Sequence, residues 1–148
     1  MVWGCFSWQG LGNLDFVDAR MTAVDYCDIL GRNLVASGEK MGLQHDFIFQ
    51  HDNDPKHTAH ITKKFLLENG FQVLDWPAMS PDLNPIEHLW DEIDRKMEKS
   101  KNKSRELLKV QIRSVWESID DTVYHKLVES VPKRLTEVIK NNGGHTKY

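Results

Sequence analysis

The spacing of apolar residues in the first third of the chain predicts a hairpin followed by a helix. Residues 1–7 and 14–17 are rich in apolar and aromatic types, and the segment between them contains two glycines, as expected for two strands and a turn. Apolar residues then recur at helical spacing over 22–37. Thr22 is the expected N-cap of this helix, and Gly38 is the expected residue at its end.

Two further strands are predicted in the middle of the chain, over residues 47–52 and 71–76, where compact apolar runs occur. A helix is predicted between them, with Asp54 as its N-cap and its end near Asn69. Because a helix connects the two strands, we expect them to run parallel.

The rest of the chain has the pattern of successive helices. Asn84 and Glu87 stand three residues apart around a proline, which is the pattern of a capping box at a helix start. Helical spacing also covers 108–119 and 124–131, and Pro132 is expected to begin another helix. The order of strands and helices predicts an α/β fold with a helical C-terminal extension.

The composition is that of a globular domain, since 40% of the 148 residues are apolar and 28% are charged. No apolar run is long enough for a transmembrane helix, and the N-terminus lacks the basic and apolar regions of a signal peptide. The two cysteines, Cys5 and Cys27, make no disulfide framework. We therefore expect an intracellular protein in a reducing compartment.

The charge is divided unevenly along the chain. Residues 1–94 carry a net charge of −9, whereas residues 95–148 carry +6. A basic segment can contact DNA phosphates, although a solvated linker would have the same composition. The basic residues considered for a DNA backbone contact are Lys96, Lys99, Lys101, Lys103 and Arg105.

Two acidic residues occupy positions where ligands are often bound. Asp52 follows a predicted buried strand, and the carboxyl ends of such strands are the usual ligand sites of α/β sheets. Glu87 lies at the start of a predicted helix. Carboxylates from separate elements can bind hard divalent cations, including the Mg²⁺ pairs that serve phosphodiester chemistry. Their positions alone are also compatible with structural roles, namely a turn or a helix cap for Asp52 and a capping box for Glu87.

Two long segments resemble the signature blocks of a known family. Residues 51–59 read HDNDPKHTA, and residues 80–90 read SPDLNPIEHLW. Both are similar to blocks of the mariner-superfamily transposases, which are DDE enzymes. The segments VWGCFS at 2–7 and GGHTKY at 143–148 also match patterns of that group.

The resemblance implies a ribonuclease H-like fold, which is a mixed sheet with flanking helices, and metal-dependent cleavage and strand transfer of DNA. Asp52 and Glu87, with 34 residues between them, are implied to be the second and third carboxylates of a site for two Mg²⁺ or Mn²⁺ ions. His57, Lys56 and Asn53 are implied to lie near the substrate. The implied partners are transposon-end DNA, target DNA and a second copy in a homodimer, and the implied location is the nucleus.

One departure from the family pattern changes these expectations. The first Asp of the family lies on the first, central strand, upstream of the segment at 2–7, and Asp15 and Asp18 do not match it. We expect residues 1–98 to form a partial catalytic core that lacks this strand, and residues 99–148 a helical part of the same domain. The chain itself is then expected to have little or no activity. The alternative is a domesticated or decayed remnant that binds DNA or pairs with a full-length transposase.

Two other interpretations concern residues outside these blocks. Histidines and cysteines could form a zinc site, although their spacing is not a standard signature. The residues considered for it are His45, His51, His57, His60, Cys5 and Cys27. Trp8, in the glycine-containing turn, is the tryptophan considered for stacking on DNA bases.

Overall fold

The computed structural model describes residues 1–18, 20–43, 47–97, 104–144 and 146, and it begins with the predicted hairpin. Strand β1 (Val2–Ser7) pairs with β2 (Gly10–Phe16). Strand β2 begins four residues earlier than predicted, because only Trp8 and Gln9 form the turn. The Ser7 hydroxyl accepts a hydrogen bond from the Gln9 amide, which tightens this turn.

The chain divides into two compact units. The first contains Met1–Cys5 and Gly12–Ser80, and the second contains Phe6–Leu11 and Pro81–Tyr148. The division into residues 1–98 and 99–148 stays a prediction. None of the helices in the described part of the chain is both long enough and apolar enough to span a bilayer.

Helix α1 (Ala23–Lys40) begins as predicted and ends later than predicted. The Thr22 side chain and Asp25 form a capping box at its start. The expected end at Gly38 is wrong, because this glycine packs inside the helix against the Phe47 ring. A Cβ atom there would lie 2.7 Å from Phe47 Cε1, so the missing side chain serves close packing. The left-handed turn falls at Gly42 instead, with φ at +69°.

The two central strands are parallel, as predicted, but much shorter. Strands β3 (Ile48–Phe49) and β4 (Gln72–Val73) pair in a sheet separate from that of the hairpin. Each has two residues where the sequence predicted six. Beyond Phe49 the chain carries the polar residues His51 and Asp52, which leave the strand for a loop.

The helix predicted from Asp54 to Asn69 is interrupted. Helix α2 (Pro55–Thr58) and helix α3 (His60–Glu68) are separated at Ala59, which has an extended ψ of 147°. Two side chains fix the break. Asp54 accepts from the Lys56 amide at the start of α2, and the buried Thr62 hydroxyl donates to the Lys56 carbonyl at 2.6 Å. Sequence periodicity carries no signal for such a local side-chain bond.

The core of the first unit forms between α1, α3 and the end of β3. Its buried residues come from one face of α1 and from single positions on the other elements. They are Met21, Tyr26, Ile29, Leu30, Leu34, Phe49 and Leu66. Trp3, Val17, Phe47, Phe65 and Phe71 pack against this cluster. The core therefore holds α1 against the loop that carries Asp52.

The second unit is helical. A 3₁₀ turn (Pro81–Leu83) leads into α4 (Pro85–Lys96), which is followed by α5 (Arg105–Glu117) and α6 (Asp121–Lys140). The expected restart at Pro132 is wrong, because α6 continues through this proline. A proline removes one backbone hydrogen-bond donor, and the other hydrogen bonds of this twenty-residue helix are sufficient to keep it continuous.

Aromatic rings and leucines form the core of the second unit. Trp116 is 1% exposed and stacks on Trp90, with the ring centroids 5.5 Å apart. Leu89 and Ile93 are buried on the same side of α4. At the tip of the hairpin, which belongs to this unit, the Trp8 ring stacks on His125 at 4.1 Å, and the His125 Nε2 lies 2.9 Å from the Trp8 carbonyl.

Candidate catalytic site

Asp52 lies in the loop between β3 and α2, at the carboxyl end of a parallel strand. Its Oδ1 atom is 2.6 Å from the Nδ1 atom of His57 and accepts a hydrogen bond from the Asp54 amide at 3.1 Å. The side chain is 50% exposed, whereas that of His57 is 16% exposed. The carboxylate is therefore held from the protein side and open on the solvent side.

Two aromatic side chains, those of Tyr26 and His51, pack against His57 behind Asp52. The Tyr26 ring lies 4.0 Å from the His57 ring, and the His51 and His57 rings are stacked 5.2 Å apart. The Tyr26 hydroxyl is 3.0 Å from the Nδ1 atom of His51. Since Tyr26 belongs to the buried face of α1, the core of the first unit is connected to the carboxylate through His57.

The burial of this cluster fixes its protonation. Burial, with a smaller effect of His57, lowers the pKa of His51 to about 4. Burial also lowers the pKa of His57, although the Asp52 carboxylate opposes it. Burial and the charge of Asp52 raise the pKa of Tyr26 far above its usual value. At neutral pH, Tyr26 therefore donates to a neutral His51, and His57 donates its Nδ1 proton to Asp52.

The donor set at Asp52 fits a hard cation. In the described residues the Oδ2 atom has no polar partner, so one carboxylate oxygen is oriented by His57 and the other is available. Mg²⁺ and Mn²⁺ prefer such oxygen ligands. Among the described residues, no group of three or more His, Cys, Asp or Glu side chains could hold a metal ion. This search covers five of the six residues considered for zinc, and His45 lies outside the described residues.

Glu87 is an exposed residue in the first turn of α4, in the second unit. The capping box predicted for it is wrong, because Asn84 makes no side-chain hydrogen bond to the helix. The Asn84 Oδ1 atom is buried without a partner among the described residues. Asp52 and Glu87 belong to different units, and their convergence on one cation stays a prediction.

Asn53 and Lys56 are occupied by contacts within the first unit. The Asn53 amide donates to the Trp76 carbonyl, which ties the Asp52 loop to the end of the neighbouring strand. The Lys56 ammonium pairs with Asp54, and although burial opposes it, this pairing lowers the pKa of Asp54. Their predicted place near the substrate is untested by these contacts.

A cavity of about 390 Å³ lies beside this cluster, and no sequence pattern indicated it. Residues that follow β4 form one wall, and residues of α3 form another. Its polar lining residues include His51, Asn53, His57, Lys63 and Asp75. The cavity provides space for a substrate group next to the Asp52 loop.

The basic residues predicted to contact DNA are only partly described. Lys96 ends α4 and lies 3.8 Å from Glu92, and Arg105 begins α5. Lys99, Lys101 and Lys103 lie outside the described residues.

The Asp15 carboxylate is bound by two side chains of α1. It pairs with Arg32 at 3.0 Å and accepts from Asn33 at 2.9 Å. Burial works to raise the pKa of Asp15, but the hydrogen bonds from Asn33 and Arg32 outweigh it and lower the pKa.

Comparison with known families identifies the chain. The sequence profile described as DDE superfamily endonuclease matches residues 14–109. The chain belongs to this superfamily. It is 37% identical over 148 residues to the Tc1 transposase of the transposable element Tc1 from Caenorhabditis elegans, covering all of this chain and 54% of that protein. The chain thus spans about half the length of this DDE relative.

Solved structures of the superfamily confirm the predicted fold. The catalytic domain of the Mos1 mariner transposase matches with a TM-score of 0.87 at 24% identity, covering 99% of this chain and 75% of that one. The Mos1 mariner paired end complex with Mn matches with a TM-score of 0.89 at 25% identity, covering 99% of this chain and 44% of that one. The ribonuclease H-like α/β fold and the mariner-type resemblance are therefore both confirmed.

Proposed function

We propose that this chain is part of the catalytic domain of a DDE transposase that cleaves DNA and transfers the cut strand in a metal-dependent reaction. The observation that carries the proposal is the Asp52 carboxylate. It lies at the end of a parallel strand, it is oriented by His57 at 2.6 Å, and it keeps one oxygen available. Burial lowers the pKa of His57, so at neutral pH the Nδ1 proton can be donated to this carboxylate.

In this proposal Asp52 and Glu87 hold Mg²⁺ or Mn²⁺. Ions held by these two carboxylates would supply Lewis-acid chemistry for cleavage of a phosphodiester. His57 keeps the Asp52 carboxylate in one orientation, and the hydrogen bond from Tyr26 to His51 prevents the stacked histidines from turning. The cavity beside His57 accommodates the sugar or base next to the scissile phosphate. A positioned ligand matters because small displacements of a catalytic group are costly.

Several partners follow from the same proposal. The Mos1 structures that match this fold include a paired end complex and structures with Mn and with Mg. By analogy, we propose that the present chain binds Mn²⁺ or Mg²⁺ and both transposon-end and target DNA. We also propose that it pairs with a second copy or with a full-length transposase. Lys96, Arg105 and the basic residues between them would contact phosphates, and the protein would act in the nucleus.

The test is Mn²⁺ titration by calorimetry on the wild type and on three variants. Asp52→Asn and Glu87→Gln should each weaken Mn²⁺ binding by about tenfold or more, because each removes a charged oxygen ligand. Asp94→Asn is the control, since Asp94 is an exposed acid on the same helix as Glu87. The control should change the affinity by less than about twofold. Unchanged Mn²⁺ affinity in Glu87→Gln would refute its role.

The charge of the C-terminal segment favours a second candidate, a DNA-binding domain that does not cut by itself, because residues 95–148 carry a net charge of +6. We propose that the 148-residue polypeptide binds DNA weakly and in a salt-sensitive manner through its basic segment. Incubation with nicked and intact transposon-end duplexes in Mn²⁺ should then give binding without cleavage. Cleavage that Asp52→Ala abolishes would show that the site is completed by another residue or by a partner subunit.

A further inference from the structure

A buried arginine in the second unit contacts one residue that precedes Glu87 in the sequence and one that follows it. Arg134 of α6 is 1% exposed. Its Nη1 group donates to the Asp82 carbonyl at 2.7 Å and lies 3.2 Å from the Nδ1 atom of His88, and its Nε group donates to the Ser130 hydroxyl at 2.8 Å. Because a guanidinium has only donors, the His88 Nδ1 atom accepts this hydrogen bond.

Two of these partners, Asp82 and His88, lie on either side of Glu87 in the sequence. Asp82 lies in the 3₁₀ turn before α4, and His88 follows Glu87 directly. The Asp82 carboxylate also accepts from the Thr146 amide at 2.8 Å, so the C-terminal region holds this turn through two groups of one residue. The helix start has no side-chain cap of its own, since Asn84 does not form one.

We propose that Arg134 is a positioning residue that fixes the start of α4 and thereby the orientation of Glu87; this inference rests on the proposed role of Glu87 in binding a metal ion. Arg134 does not touch the substrate, because its side chain is buried. Although it belongs to the basic C-terminal segment, it contributes nothing to a DNA contact. Its charge is used inside the unit, to join α6 to the turn and to α4.

The geometry explains why an arginine serves here. The planar guanidinium presents several donors in fixed directions, so one group can bind a carbonyl, an imidazole nitrogen and a hydroxyl at the same time. A lysine ammonium at this position would reach fewer of these acceptors. A methionine would fill a similar volume and leave the Asp82 carbonyl and His88 without their donor.

The test compares Arg134→Met and Arg134→Lys with Ile119→Ala, a buried apolar residue of the same unit. Two quantities are measured in each: hydrogen exchange of the Asn84 and Glu87 amides by NMR, and Mn²⁺ affinity by calorimetry. These amides report on the turn because they bond to the Pro81 and Asn84 carbonyls. Thermal unfolding supplies the overall stability, to which exchange rates are normalised.

We expect Arg134→Met to speed exchange at these two amides by about tenfold or more relative to Ile119→Ala and to weaken Mn²⁺ binding as Glu87→Gln does. Arg134→Lys should give an intermediate value for both, and it remains informative if the methionine variant does not fold. Equal exchange in Ile119→Ala and the arginine variants would overturn the inference. So would wild-type Mn²⁺ affinity in both arginine variants while Glu87→Gln weakens it.

The failure of the proposed function has a different signature. If Glu87→Gln leaves Mn²⁺ affinity unchanged, the metal role of Glu87 is refuted. The exchange data then decide alone whether Arg134 positions the start of α4. Faster exchange confined to the Asn84 and Glu87 amides supports the positioning role, and exchange that is uniform across α4 and α5 overturns it.

Discussion

Two glycines of α1 provide a matched pair of substitutions with opposite expected effects. Gly31 is exposed, and a Cβ atom there would meet only the Phe65 ring at 3.6 Å, an ordinary contact. Gly38 is buried, and its Cβ atom would lie 2.7 Å from Phe47 Cε1. The Phe47 ring would have to retreat by about 0.8 Å to reach a contact distance of about 3.5 Å.

The magnitude follows from two terms. Replacing a helical glycine by alanine stabilises a helix by about 0.5–1 kcal/mol, and this gain applies to both positions. Overpacking at Gly38 costs about 1–3 kcal/mol and does not apply at Gly31. The helix term cancels in the comparison, so Gly38→Ala should be about 1–3 kcal/mol less stable than Gly31→Ala. That difference corresponds to about 2–12 °C in the melting temperature of a chain of this size.

The assay is urea denaturation of both variants and the wild type, followed by circular dichroism, with thermal melting as a second measure. Gly31→Ala should be at least as stable as the wild type. A Gly38→Ala variant as stable as Gly31→Ala would refute the reasoning, because it would show that Phe47 moves at no cost.

Three further substitutions test other contacts. Tyr26→Phe removes the donor to His51 but keeps the ring, and it should lower the free energy of unfolding by about 1–3 kcal/mol in urea denaturation. Thr62→Val removes the buried bond to the Lys56 carbonyl and should cost about 1–3 kcal/mol, whereas no loss would mean that this bond does not hold α2. Asp15→Asn should be less stable than the wild type at pH 7. Because folding lowers the pKa of Asp15, the wild-type advantage is complete above an unfolded pKa of about 4 and should disappear as the pH falls through the folded value; an advantage that persists at acid pH would contradict this.

Patterns that depend on neighbours along the chain predicted this fold well. The Thr22 cap with Asp25, the hairpin and the parallel order of the central strands follow from local spacing and from the helical connection between strands. Contacts between distant residues were not predictable in this way. A glycine at position 38 is typical of a helix end, yet in the structure the Phe47 ring packs against it inside α1. Pro132 is typical of a helix start, yet it lies within α6.

In the candidate site too, local patterns were predictable from the sequence and contacts between distant residues were not. Asp52 was found from its strand-end position and from the family resemblance, but its setting depends on Tyr26, which is 26 residues earlier and had no polar role in the pattern. Asn84 and Glu87 have the sequence of a capping box that the structure does not form. Arg134 is one basic residue among many in the C-terminal segment, and only its burial separates it from the others.

The contact between Trp8 and His125 has a consequence for synthesis of the chain. The two residues are 117 positions apart, although both belong to the second unit. A ribosome adds about 5–20 residues per second, so about 6–23 s pass between the addition of Trp8 and that of His125. During this time the indole lacks the ring on which it stacks, while β1 and β2 can already pair. The hairpin tip of the nascent chain is therefore a place where a chaperone that recognises exposed aromatic rings could act before the last helix emerges.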